Sequence, residues 1–138
     1  MSSPTAELTF LGRIQTPYAT LAECPRQPWT QPAQAVIELD ETFTAIIEGI
    51  TPGTLAHVLW WADRAQRGLQ RRRPREGAEP LGVCAGRGVD RPNPVGLTLV
   101  EVLTVAPRRL TVRGMDCVDG SPLIDIKPAI ALPGQTQQ

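Results

Sequence analysis

The stretch "GLTLVEVLTVAPRRLTVRGMDCV", Gly96 to Val118, alternates apolar and polar residues twice, with a break at Pro107. A period of two is the signature of a strand with one face buried. Pro107 lacks a backbone donor and fixes its own φ, so it marks a turn rather than a continuation. Residues 96–106 and 108–118 therefore read as two strands of a hairpin with a short connection. Directly upstream, "DRPNP" (90–94) stiffens the entry: each proline pushes the residue before it toward extended geometry. Arg91 and Asn93 are thereby held in a rigid, non-helical segment.

The rest of the chain extends this pattern. "ELTFLGRIQ" (7–15), "AVIEL" (35–39), "LAHVLWWAD" (55–63), "PLGVCAG" (80–86) and "DGSPLIDIKP" (119–128), the last after its opening turn, read as further strands. "DETFTAIIEGI" (40–50) begins with Asp40 as an N-cap candidate and ends near Gly49, so a short helix is expected there. Fourteen prolines and twelve glycines in 138 residues disfavour long helices. The expected fold is all-β: a small β-barrel of short, mostly antiparallel strands with one short helix. One domain is expected over residues 1–130, followed by a disordered tail at 131–138.

Composition excludes several classes. No apolar run approaches the roughly 20 residues that span a membrane. "MSSPTAELTF" lacks the basic start and apolar stretch of a secretory signal, so a cytoplasmic location is expected. Cys24, Cys84 and Cys117 are scattered, no C-x-x-C occurs, and His57 is the single histidine. No metal site is expected, and the cysteines read as buried reduced thiols.

The net charge is zero but unevenly spread. Residues 1–63 hold two arginines against seven acids; residues 64–138 hold eleven arginines and Lys127 against seven acids. "RAQRGLQRRRPRE" (64–76) is the densest part, and Arg71, Arg72 and Arg73 form a local patch suited to RNA phosphate.

Motif by motif, common catalytic signatures are missing. The "GRG" at 86–88 is no dinucleotide loop: a third glycine would fall on Arg91, and Pro92 and Pro94 block the helix that should follow. There is no P-loop and no G-x-S-x-G, and His57 sits inside an apolar run. In "CPRQP" (24–28), Arg26 and Gln27 are donors held between two prolines. Asp116, Asp119, Asp125 and Lys127 lie within twelve residues. Asp119-Gly120 is a turn signal, while Asp125 and Lys127 share one strand face, as an ion pair or as a polar pocket wall.

In order along the chain, "FLGRIQTPY", "CPRQ", "LAHVLWWADRA", "RPNPVGLTLVEVL" and "VRGMDCVDGSPLIDIKP" resemble the TsaA-like (YaeB/TrmO) family. The resemblance runs from about Leu8 to Pro128. It implies a small β-barrel that binds S-adenosyl-L-methionine without a Rossmann fold, as a homodimer with the cofactor near the subunit interface. It further implies methylation at N6 of the threonylcarbamoyl-modified adenosine beside the tRNA anticodon. Matching the family's motifs implies cofactor contacts at Arg26, Gln27, His57, Arg87, Arg91, Asn93 and Asp119, with apolar or backbone contacts at Leu123 and Ile124. His57, Asp119 and Asp125 are the implied acceptors of the proton that the nitrogen sheds.

Three departures stand out. Where the family commonly has T-R-S-P-x, this chain has Gly86-Arg87-Gly88-Val89-Asp90, and a Ser-His pair becomes Ala56-His57. Some members also carry a C-terminal domain beyond the barrel, whose RNA contacts are expected to be absent here. Two other readings stay open at this level: a methyltransferase with a different acceptor, and a cofactor-binding protein without transfer activity.

Overall fold

The computed structural model describes residues 3–26, 28–29, 33–131 and 134. Six strands close into an antiparallel barrel: β1 (Gly12–Gln15), β2 (Gln34–Leu39), β3 (Leu55–Trp61), β6 (Val95–Ala106), β7 (Arg109–Arg113) and β8 (Ser121–Pro128). Around the barrel the order is β1-β2-β7-β6-β3-β8, and β8 pairs back onto β1. Two short strands, β4 (Arg71–Arg72) and β5 (Leu81–Gly82), form a separate ribbon within the long β3–β6 connection.

The two-residue period builds the core. On β3, Ala56, Val58 and Trp60 point inward; on β6, Val100 and Val102 do so; Ile14, Ile37, Leu39, Leu110, Val112 and Leu123 complete the interior. Their partners in alternation face out. Slipping any of these strands by one residue would turn its apolar set to solvent, so the register is strongly specified. Closure is tight where β1 meets β2: a Cβ on Gly12 would collide with the Glu38 carbonyl and come within 2.8 Å of Leu39 Cα.

The expected hairpin forms over Val95–Ala106 and Arg109–Arg113, with Arg108 in the turn at φ 59°. Other boundaries differ. The strand expected at 7–15 covers only Gly12–Gln15, and that expected at 80–86 shrinks to Leu81–Gly82 followed by a 3-10 turn, Val83–Ala85. The helix expected at 40–50 is a 3-10 helix, Glu41–Ile47, broken at Phe43. Asp40 stands at its N-cap position but its side chain makes no capping bond there. Apolar Phe43, Ile46 and Ile47 give this segment too little amphipathic length to sustain α-helix. The thiols differ among themselves: Cys117 is buried as expected, Cys24 is half-buried and Cys84 is exposed. Of the expected tail, 132–133 and 135–138 lie outside the described residues. Among the described residues no helix is long and apolar enough to cross a membrane.

The connections divide unevenly between the two ends of the barrel. One end carries the 40–54 segment and the two-residue β6–β7 turn. The other carries three long connections, 16–33, 62–94 and 114–120. "CPRQ", the arginine-rich loop, "RPNP" and the Asp116–Asp119 segment all lie on those three.

Candidate active site

At the loop-bearing end, short polar contacts stitch the connections together. The Thr16 backbone N–H donates to Asp119 Oδ1 at 3.0 Å, and the Thr16 hydroxyl donates to the Cys117 carbonyl at 2.8 Å. The Asp119 N–H donates to the Tyr18 carbonyl at 2.7 Å. Asp119 is thus tied into the turn that the Asp-Gly pair signalled, with its carboxylate capping the neighbouring loop.

The Pro-bracketed segment is braced from several sides. Arg91 Nη1 donates to the carbonyls of Gly88 (2.8 Å) and Gly86 (3.3 Å), which folds 86–91 back on itself. Asp90 Oδ1 accepts from the Gln66 N–H at 2.9 Å, and Arg67 Nε donates to the Pro92 carbonyl at 2.8 Å. The Ala62 N–H donates to the Pro94 carbonyl at 2.9 Å, and Pro94 itself is buried. Arg91 is therefore a brace for this loop, while Asn93 stands exposed at its crest. Arg87 Nη2 donates to the Leu97 carbonyl at 2.9 Å, on β6 beyond the last residue of β7.

A buried relay lies beneath these loops. A Cβ on Gly96 would fall within the Trp60 ring, so glycine there lets the indole lie against β6. The Trp60 Nε1–H donates to Thr98 Oγ1 at 3.0 Å, and the Thr98 hydroxyl donates to Asp116 Oδ1 at 2.6 Å. Burial raises the pKa of Asp116 above the ordinary carboxylate range, opposed by the hydrogen bond from Thr98, by its own backbone N–H and by the charge of Arg87. The same carboxylate acts electrostatically on Tyr18, Cys24 and Cys117. Burial pushes the Cys117 thiol up to about 12, an inert core sulfur. Cys24 and Tyr18 are likewise raised, chiefly by burial. Segments from all three long connections therefore meet around Asp116.

Not every expected site residue joins this cluster. Arg26 is exposed two residues beyond Cys24, and Gln27 lies outside the described residues. His57 is on the outer face of β3, flanked in register by Leu99 and Lys127, and its Nδ1 is buried without a hydrogen-bond partner. Asp125 pairs with Lys127 at 3.1 Å on that outer face. Leu123 is 0% exposed in the core, and its carbonyl accepts from the Leu11 N–H. Ile124 is the extra residue of a β-bulge and stays half-buried. Arg71 and Arg72 are exposed on β4, and Arg73 Nη1 donates to the Ala78 carbonyl at 2.6 Å. The Arg72 guanidinium occupies the place a Cβ on Gly88 would take, so one departure in segment 86–90 makes room for the arginine-rich loop. A cleft of about 720 Å³ opens elsewhere, between Trp29, Arg113, Leu55 and Leu99, and contains none of the expected residues.

In the sequence Asp116 is one acid of a cluster, with no local feature that marks it as a site residue. Its signals are Thr98 and Trp60, which only the β6–β3 register brings to it.

Comparison with known proteins agrees with the barrel fold. The family model of the tRNA-methyltransferase O N-terminal domain matches residues 13–132. A probable S-adenosyl-L-methionine-binding protein of Methanothermobacter thermautotrophicus is 35% identical over 128 residues, covering 93% of this chain and 93% of that protein. The tRNA (adenine(37)-N6)-methyltransferase of Escherichia coli is 32% identical over 129 residues, covering 86% of this chain and 55% of the enzyme. The crystal structure of TrmO from Pseudomonas aeruginosa superposes with a TM-score of 0.78 at 28% identity, covering 96% of this chain and 61% of that one. This chain therefore spans somewhat over half the length of the last two proteins.

Proposed function

The chain belongs to the tRNA-methyltransferase O N-terminal domain family, and on that premise we propose that it is an S-adenosyl-L-methionine-dependent methyltransferase acting on N6 of the threonylcarbamoyl-modified adenosine beside the tRNA anticodon. The observation that carries this reading is the meeting of all three long connections around one half-buried carboxylate at one end of a barrel. A tRNA acceptor accords with a cytoplasmic protein.

The residues present fit the cofactor. S-adenosyl-L-methionine has a sulfonium cation, an amino-acid end with a carboxylate and an ammonium group, and an adenine. Arg26 and Arg87 supply guanidinium groups for the carboxylate. Asn93, at the crest of a braced loop, offers an amide to a polar edge, and half-buried Ile124 offers apolar surface. When bound, the cofactor supplies an already electrophilic methyl group. The chain's own task is then alignment, with the acceptor nitrogen about 3–3.5 Å from that carbon, and removal of a proton.

Arg71, Arg72 and Arg73 are exposed on the same connection and suit tRNA phosphate. A homodimer through the outer face of β3 and β6 suits Leu97 and Leu99, which are 45% and 36% exposed, and would bring His57 to the interface.

Isothermal titration with S-adenosyl-L-methionine, followed by isotopic methyl transfer to tRNA carrying the threonylcarbamoyl modification, tests the reading. Binding should stabilise the fold by about 2.7 kcal/mol at one hundred times the dissociation constant. Binding without transfer to that tRNA would leave a cofactor-binding protein or a different acceptor. Replacing the three arginines by alanine should flatten the salt dependence of tRNA association.

A further inference from the structure

We propose that Asp116 is the proton acceptor of the methyl transfer, held for that task by the relay Trp60–Thr98–Asp116. The proposal rests on the methyltransferase reading above.

The direction of the relay follows from donor chemistry. An indole N–H can only donate. Thr98 Oγ1 accepts it at 3.0 Å, so the hydroxyl proton of Thr98 is directed onward, to Asp116 Oδ1 at 2.6 Å. Trp60 and Thr98 are 8% and 4% exposed, so the rotor is set by the core rather than by solvent. Oδ1 is thereby kept an acceptor in either charge state, and a proton gained by Asp116 lands on Oδ2. A carboxylate oriented by a donor-only chain is prepared to take a proton, not to give one up.

The other acids and the histidine are placed less well. Asp119 spends Oδ1 on the Thr16 N–H and is exposed. Asp125 pairs with Lys127 on the outer face. His57 lies between Leu99 and Lys127, on the opposite face of the sheet from Thr98. The charged and titratable groups that act on Asp116 or feel it are Arg87, Tyr18, Cys24 and Cys117. Arg87 lowers its pKa and burial raises it, with burial the larger effect. A carboxylate shifted toward neutrality is a stronger base at working pH.

The transfer balances as follows. The lone pair of the acceptor nitrogen forms the new N–C bond, the C–S bond breaks, and its electrons remain on sulfur as a neutral thioether. The nitrogen's proton passes to Asp116 Oδ2 and from there to solvent.

The test uses the full chain, with Asp116→Asn and Thr98→Val as variants. Asp116→Asn should remain folded and bind S-adenosyl-L-methionine within about tenfold of wild type, while methyl transfer to modified tRNA falls by about 10²–10⁴-fold. Thr98→Val removes a hydrogen bond that favours the ionised form, so the acidic limb of the pH–rate profile should move to higher pH. Carboxyl ¹³C titration of Asp116 in the cofactor-free protein should show the same upward movement, starting from a value already above an ordinary aspartate. Asp116→Asn transferring within about tenfold of wild type overturns the proposal. Loss of cofactor affinity in step with rate also overturns it, by making Asp116 a binding group. If Asp116→Asn does not fold, an unmoved limb in Thr98→Val decides against it. Wild-type protein that binds cofactor but methylates no modified tRNA overturns the underlying reading instead.

Discussion

The two faces of the β3–β6 sheet treat polar atoms differently. On the inner face, Trp60, Thr98 and Asp116 form one directed chain that opens onto the loop-bearing end. On the outer face, His57 Nδ1 is buried without a partner, and Asp125 meets Lys127 where both side chains are largely exposed. An exposed pair of that kind adds little stability. Neighbouring residues on one strand thus have opposite prospects: Trp60 takes part in a relay, while Leu59 and Trp61 beside it face away. A polar side chain acquires direction where packing fixes its partner, and the interior of the barrel supplies that packing.

The largest effect should come from Leu123. Leu123→Ala should cost about 2–5 kcal/mol in denaturant unfolding, with cofactor affinity of the folded protein nearly unchanged. Intact stability with lost affinity would break the division between core and site.

Next is Gly96. A methyl group there must displace the Trp60 ring, and overpacking of this kind costs about 1–3 kcal/mol. Gly86 meets nothing within 4 Å of its would-be Cβ, so Gly86→Ala should stay within about 0.5 kcal/mol. Chemical denaturation of both, read by tryptophan fluorescence, sharpens the inner-face assignment; equal costs would remove Trp60 from it.

A smaller, pH-dependent effect is expected at Asp116. Its folded pKa is raised, so its contribution to stability is fully present below the unfolded value and is lost as pH rises through the folded value. Asp116→Asn removes the desolvated charge. The variant should match wild type in acid and melt at a higher temperature at pH 8. A wild type that gains stability relative to the variant as pH rises would reverse the sign and the argument.

The smallest effect belongs to the outer face. His57→Gln should change stability by no more than about 0.5 kcal/mol, measured by the midpoint of urea unfolding. A hundredfold loss of methyl transfer in that variant would move the chemistry to the outer face and to a second copy of the chain.

Much of the fold was legible in order. The alternation at 96–106 and 108–118 predicts a hairpin, and the structure has one, shortened at its second strand. The Pro-bracketed "RPNP" segment reads as rigid and is braced by Arg67, Asp90 and Arg91. The site was less legible. His57 draws attention as the single histidine, and only the structure shows that it stands on the outer face while Leu123 sits in the core. Asp116 looks ordinary because its partners are far off in sequence: Thr98 is 18 residues away, and Trp60 is 38 from Thr98.

By itself, then, the sequence determined the strand period, the turns and the family, because alternation, proline and glycine act through local backbone geometry and short motifs. Tertiary structure alone decided which aspartate is desolvated and which way a hydroxyl points. Those depend on strand register and on a glycine that admits an indole, and neither leaves a mark at the aspartate's own position.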